Sequence, residues 1–198
     1  MSSETSARQA GTAERLFAAG LEELREVGHE TLTIRSVAGR AGVSPATAYT
    51  YLASRNHLFV DLFWRHLTSA PAVEETGSRE ERVQAAVRSL TTRIAEEPAL
   101  AAAVTPALLG SDADVEELRL RIGAEFAARF DAALGDGAED AVGEALLLAF
   151  SGALLQAGMG LMTYDEMADR LAPVVTVIVG EARTEPVEMR RTEPVEME

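Results

Sequence analysis

Apolar residues recur every three or four positions along nearly the whole chain, a spacing that predicts helices throughout. The first holds Ala13, Leu16, Phe17, Leu21, Leu24 and Val27, opens on a Ser6–Gln9 capping box and runs to Gly28. Two short segments follow, Ile34 to Ala41 and Ser44 to Leu52, separated by Gly42. A fourth helix after Ser54 carries Leu58, Phe59, Leu62, Phe63 and Leu67 and stops before Pro71. The stretch from Pro71 to Gly77 reads as a hinge. Beyond it, Ser78 and Glu81 form a capping pair ahead of Val83, Val87, Leu90 and Ile94. Pro98 opens an alanine-rich helix ending near Gly110, and Val115, Leu118, Ile122, Phe126 and Phe130 stripe a longer one. Residues 145–162 carry no charge, and Ala145, Ala149, Ala153 and Ala157 repeat every four residues. Thr163 and Glu166 then cap a last helix with Met167, Leu171, Val175, Ile178 and Val179, which Pro173 is expected to kink. The expected fold is all-α, with an N-terminal three-helix domain over 1–56 and a helical body over 57–182. The segment 183–198, where RTEPVEM occurs twice, reads as an acidic disordered tail.

The stretch TIRSVAGRAGVSPATAYTYL (33–52) has the form of a helix-turn-helix. Thr33 caps the first helix, Gly42 takes the positive φ of the turn, and Ser44 caps the second helix with Pro45 at its first position. Val37, Ala41, Val43 and Ala48 are spaced to face inward, and Ala38 lets two helices cross closely. Arg35, Ser44, Thr47, Tyr49, Thr50 and Tyr51 remain for the outside, all hydrogen-bonding types without an acid among them. Short helix-turn-helix units also serve as plain corners in all-α proteins, so the spacing alone does not assign DNA binding.

With its flanks, from about Ala13 to Leu62, this stretch resembles the DNA-binding domain of the TetR family of bacterial regulators. The resemblance rests on Gly28, the Leu32-Thr33-Ile34 run and AGVSPATAYTYLASRNHL, in particular Tyr49, Tyr51-Leu52, Ser54, Arg55 and Leu58. Leu52 stands where a Phe is usual, Arg55 where a Lys is usual, and Asn56 where an acid is common; Arg55 can still meet a phosphate. The resemblance implies a dimer that places the Ser44–Leu52 helix of each subunit in a major groove of double-stranded DNA and reads a near-palindromic operator. Arg35 is the candidate for base readout, since its fork matches guanine O6 and N7. Pro45, Thr47 and Thr50 offer weaker edge or methyl contacts. Thr33, Ser44, Tyr49, Tyr51 and Arg55 are candidate phosphate contacts that set register.

Charge fits this division. The chain has 18 Arg, no Lys, 32 acids and a net charge of −14. Residues 1–56 hold six Arg and six acids, so the whole excess of acid lies beyond the reading head. Screening over about 8–10 Å separates an acidic body from the docking surface. The absence of cysteine and of a basic-then-apolar N-terminal signal leads to an expectation of a cytoplasmic protein. No enzyme is expected: nucleophile-elbow, zinc-helix, phosphate-loop and dinucleotide patterns are absent, and Asp61 has Arg65 at i+4 as a simple partner for the residue beside His57. The acids at Asp112, Asp114, Glu116 and Glu117 suit a helix N-terminus and lack the glycine turn of a calcium loop, so neither metal nor cofactor is expected.

For the body, family and residues suggest the same roles. The last two helices are the expected dimer interface, through Ala149, Ala153, Ala157, Leu171, Val175 and Ile178. A membrane span at 145–162 ranks behind that and behind an ordinary core helix. Trp64, Phe126, Phe130, Phe150, Gln156 and Met159 are candidate lining for a small, mostly apolar effector, although aromatic stripes also serve as plain core. The leading expectation is a ligand-responsive homodimeric repressor. The alternatives are a DNA-binding dimer governed by a partner protein or by abundance, and, more distantly, a helical enzyme or interaction protein.

Overall fold

The computed structural model describes the backbone of residues 2–69 and 76–181, and side chains within 9–69 and 76–180. Among the described residues there are nine helices and no strand: α1 (Ser2–Thr31), α2 (Ile34–Arg40), α3 (Pro45–Tyr49), α4 (Arg55–Thr68), α5 (Arg79–Ala95), α6 (Pro98–Leu109), α7 (Ala113–Leu134), α8 (Asp140–Gly158) and α9 (Glu166–Glu181). The expected hinge at 71–77 lies mostly, and the 183–198 repeat wholly, outside the described residues.

Helix starts follow the capping logic of the sequence. Thr33 and Ser36 close a reciprocal box on α2, Ser78 and Glu81 one on α5, and Thr163 and Glu166 one at α9. Two boundaries differ from expectation. α1 begins at Ser2, so Ser6 lies inside it; no proline or glycine interrupts residues 2–10. α3 ends at Tyr49, because Thr50 N–H and Tyr51 N–H turn back to the carbonyls of Thr47 and Ala48, tightening the last turn. The Thr50 hydroxyl also donates to the Thr47 carbonyl at 2.6 Å, which holds that tight turn. α9 continues through Pro173.

Helix ends are closed largely by arginine. Arg79 and Arg82 donate to the carbonyls of Ala133, Leu134 and Asp136 at the end of α7, Arg93 to His66 and Arg129 to Leu67 in the last turn of α4, and Arg119 to Leu108 and Gly110 at the end of α6. These are the carbonyls at and just past helix C-termini that the helix ladder leaves open.

One hydrophobic core runs from Leu16 to Val179. α4 joins the parts: it packs on α1 and also on α6 and α7, while α5, α7, α8 and α9 form the far end. α1 also packs along α6, and there Arg25 donates to both Glu97 carboxylate oxygens from Nε and Nη2, with Nε to Oε2 at 3.0 Å. α8 is long and apolar enough to cross a membrane by length and composition. In the fold it packs on α6, α7 and α9, burying Leu146, Phe150, Ala153, Leu154 and Ala157.

Candidate nucleic-acid interface

The reading surface is built from α2, the turn and α3. Ile34, Val37, Ala38 and Ala48 are buried where α2 packs on α3 and on α1. Gly42 sits at φ 67°, as the turn requires. Ser44 accepts from Thr47 N–H at 3.1 Å and lies 2.8 Å from the Thr47 hydroxyl, so both side chains are held at the start of α3. α3 itself is one and a half turns long, short enough that its register comes from the core contacts of Ala48 and Leu52 rather than from helix propensity.

Thr33, Arg35, Ser44, Pro45, Tyr49 and Thr50 are exposed, and Tyr49 keeps 53% of its surface in solvent. Thr47 is half-buried, and Tyr51 is half-buried against the core. Arg55, on the first turn of α4, donates to the Glu30 carbonyl at 3.2 Å and remains exposed. The two arginines of α2 have separate fates. Arg40 is spent on α1, paired with Glu22, Glu23 and Glu26, with Nε 2.7 Å from Glu23. These bonds, Arg40 first and Ser36 second, hold the Glu23 carboxyl below the usual range despite its burial. Arg35 has no ion-pair partner among the described residues, so its guanidinium is free to meet an external acceptor.

A free arginine and a row of hydroxyls on a helix-turn-helix can grip a phosphate backbone and read base edges. Comparisons with known proteins decide the family. Residues 16–62 match the pattern of the tetR family of bacterial regulatory proteins. Over 178 residues the chain is 44% identical to HTH-type transcriptional regulators of Mycobacterium tuberculosis and Mycobacterium bovis, covering 88% of this chain and 84% of each relative. This chain belongs to the tetR family. The fold agrees: a TetR regulator from Rhodococcus sp. RHA1 superposes with a TM-score of 0.74 at 20% identity, covering 88% of this chain and 98% of that one. TylP, a TetR regulator from Streptomyces fradiae, gives a TM-score of 0.57 at 19% identity over 87% of both chains. The protein is thus a DNA-binding transcriptional regulator with the tetR fold.

In the body of this tetR-family regulator, the sequence-assigned residues separate. The alanine stripe of α8 points inward: Ala153 and Ala157, with Leu171 and Val175 of α9, are buried within the single chain, and Ala149 and Ile178 are half-buried. Close approach explains this use of small residues, since a Cβ at Gly158 would lie 2.5 Å from Thr105 of α6. The opposite face of the same helices is apolar as well. That face carries Leu148 (66% exposed), Gly152, Leu155 and Met159 on α8, and Val174 and Val177 on α9.

The six candidate effector residues do not share one cavity. Phe130 and Phe150 are fully buried, and Phe150 meets Phe126 and Phe130 edge-to-face at 5.0 and 5.5 Å, which makes them core. Gln156 and Met159 are exposed. Trp64 lines a charged cleft of about 350 Å³ between α4 and α7, under the Arg121 guanidinium and beside Asp61, Asp114 and Glu117. The Nδ1 of His57, in the same cleft, is buried without a hydrogen-bond partner. Phe126 lines a different cavity of about 220 Å³ between α6, α7 and α8, with Thr105, Leu108, Gly123 and Leu154. Those four escaped the sequence reading; the one available signal was a glycine in mid-helix at 123.

Proposed function

We propose that the protein is a ligand-responsive homodimeric repressor whose 1–56 head reads DNA and whose 57–182 body dimerises and takes an effector. Each subunit sets α3 in a major groove, and a two-fold dimer reads a near-palindromic operator. Arg35 reads a base; Pro45, Thr47 and Thr50 add edge contacts; Thr33, Ser44, Tyr49, Tyr51 and Arg55 hold phosphates. The observation that carries the reading is the contrast between an ion-paired Arg40 and an exposed Arg35 without an ion-pair partner among the described residues, on a capped helix-turn-helix. The apolar outer face of α8 and α9 supports the dimer, since a row such as Leu148, Leu155, Met159, Val174 and Val177 is unfavourable in water.

Binding of Arg35→Ala to a selected operator and to its single-base variants tests the assignment. A loss of about 1–3 kcal/mol with relaxed preference at one position is expected. A uniform loss across all sequences would make Arg35 a phosphate contact instead.

A further inference from the structure

Glu97 and Asp112 stand at helix starts in the body without capping the helices they precede. Glu97 is the N-cap residue of α6 and Asp112 that of α7, and neither side chain accepts from an N–H of its own helix. Thr33, Ser44, Ser54 and Ser78 hold the same position on α2, α3, α4 and α5, and each does. Asp is among the best capping residues, so the open cap at α7 is the more telling. Both carboxylates turn to the head instead. Glu97 accepts from Nε and Nη2 of Arg25 on α1. Asp112 Oδ2 accepts from Nδ2 of Asn56, on the first turn of α4, at 2.5 Å.

The two contacts sit at opposite ends of α6, a helix of 12 residues and therefore about 18 Å long. One contact would leave the head free to pivot on the body. Two that far apart confine it to rotation about the line joining them, and the packing of α1 and α4 on α6 opposes that rotation. Both sides of the second contact are themselves fixed. Ser54 caps α4 by accepting from His57 N–H at 3.0 Å, and Arg55, next to Asn56, holds the Glu30 carbonyl at the end of α1. The loop that carries Asp112 is held from α7 by Arg119, which donates to the Leu108 and Gly110 carbonyls at 2.7 and 2.6 Å. α2 packs on α1 and on α3, so the reading elements turn with α1. We propose that Glu97 and Asp112 are positioning residues for operator recognition: by holding Arg25 and Asn56 they set the angle of the reading head on the body, and so the half-site spacing that the dimer accepts. The inference rests on the dimeric reading above and names the residues that fix its geometry. One base pair of added spacing moves a half-site by about 3.4 Å and turns it by about 35° around the duplex, which a head held at two points follows poorly. A lone half-site makes no such demand, since a single head can meet it from any angle.

The test follows the full chain by fluorescence anisotropy on a selected operator, on the same operator with its half-sites one base pair closer or farther, and on a lone half-site. The wild type is expected to favour the native spacing by about tenfold or more. Asp112→Ala and Glu97→Ala are each expected to reduce that preference to about threefold or less, with affinity for the lone half-site within about twofold of wild type. Asn56→Asp sets two carboxylates against each other and is expected to lose the preference in the same way. Asn56→Asp combined with Asp112→Asn restores one donor opposite one acceptor and is expected to recover it. An unchanged preference in either alanine variant would overturn the assignment of that residue. An equal loss on the lone half-site would also overturn it, since that marks a damaged head rather than a turned one. A double variant no better than Asn56→Asp would overturn the role of the Asn56–Asp112 contact. A wild type without any spacing preference, or as tight on the lone half-site as on the palindrome, would instead overturn the dimeric reading itself.

Discussion

Arg35 and Arg40 lie five residues apart on one short helix, and the difference between them is made by α1. Glu22, Glu23 and Glu26 draw Arg40 back onto the protein, whereas Arg35 has no ion-pair partner among the described residues. Arg40→Ala is accordingly expected to lower the melting temperature, because nearly buried Glu23 loses its main partner, while the base preferences of the surviving folded protein stay unchanged. Thermal denaturation and operator-variant binding check the two halves separately. A changed preference would show that Arg40 leaves its carboxylates to contact DNA. At this scale the caps at Thr33, Ser44 and Ser78 and the exposure of Arg35, Ser44, Tyr49 and Thr50 were legible, since a cap or turn depends on neighbours in sequence, whereas Thr47 and Tyr51 are half-buried. The fate of Arg40 was not, because its partners lie fourteen and more residues away on another helix.

Between elements, arginine pairs and small residues set the spacing. The Arg25–Glu97 pair ties α1 of the head to the start of α6, whose far end walls the α6–α7–α8 cavity. Arg25 holds the Glu97 carboxyl below the usual carboxylate range, against the opposing effect of burial. A depressed carboxyl stabilises the fold fully above its unfolded pKa, about 4.3, and that contribution is lost as pH falls through the lower folded value. Melting temperature in the wild type is therefore expected to fall more steeply below about pH 4.5 than in Glu97→Gln. Equal acid limbs would show that the pair contributes nothing to stability. At the α6–α8 crossing, Gly158→Ala forces Thr105 to move and is expected to cost about 1–3 kcal/mol of stability, measured by denaturant unfolding. A neutral result would mean that the crossing relaxes freely. The four-residue alanine repeat on α8 announced a close helix approach in the sequence, but not whether the approaching helix came from the same chain. Within the single chain Ala153 and Ala157 are buried together with Leu146 and Leu154, while Leu148 and Leu155 stay exposed.

Over the whole molecule, a head without net charge is joined to an acidic body, and one core couples them through α4 and α6. The all-α fold and the family were legible because apolar periodicity and the 33–58 motif are local in sequence. The cavity was not, since its lining comes from three helices far apart in sequence, and periodicity carries no information about how they meet. In the proposed regulator, two copies joined through the outer faces of α8 and α9 read DNA together. A dimer held there is expected to dissociate on Leu148→Glu with Val177→Glu, seen as a halved mass by light scattering with helical content retained. Selection of DNA from a random pool by the wild type and by this double variant, at low and moderate salt, tests the claim most directly. The expected result is one enriched palindrome with half-sites about one helical turn apart, roughly 10 base pairs, and its loss in the variant. Enrichment of a single unrepeated motif, or the same palindrome from both proteins, would contradict it.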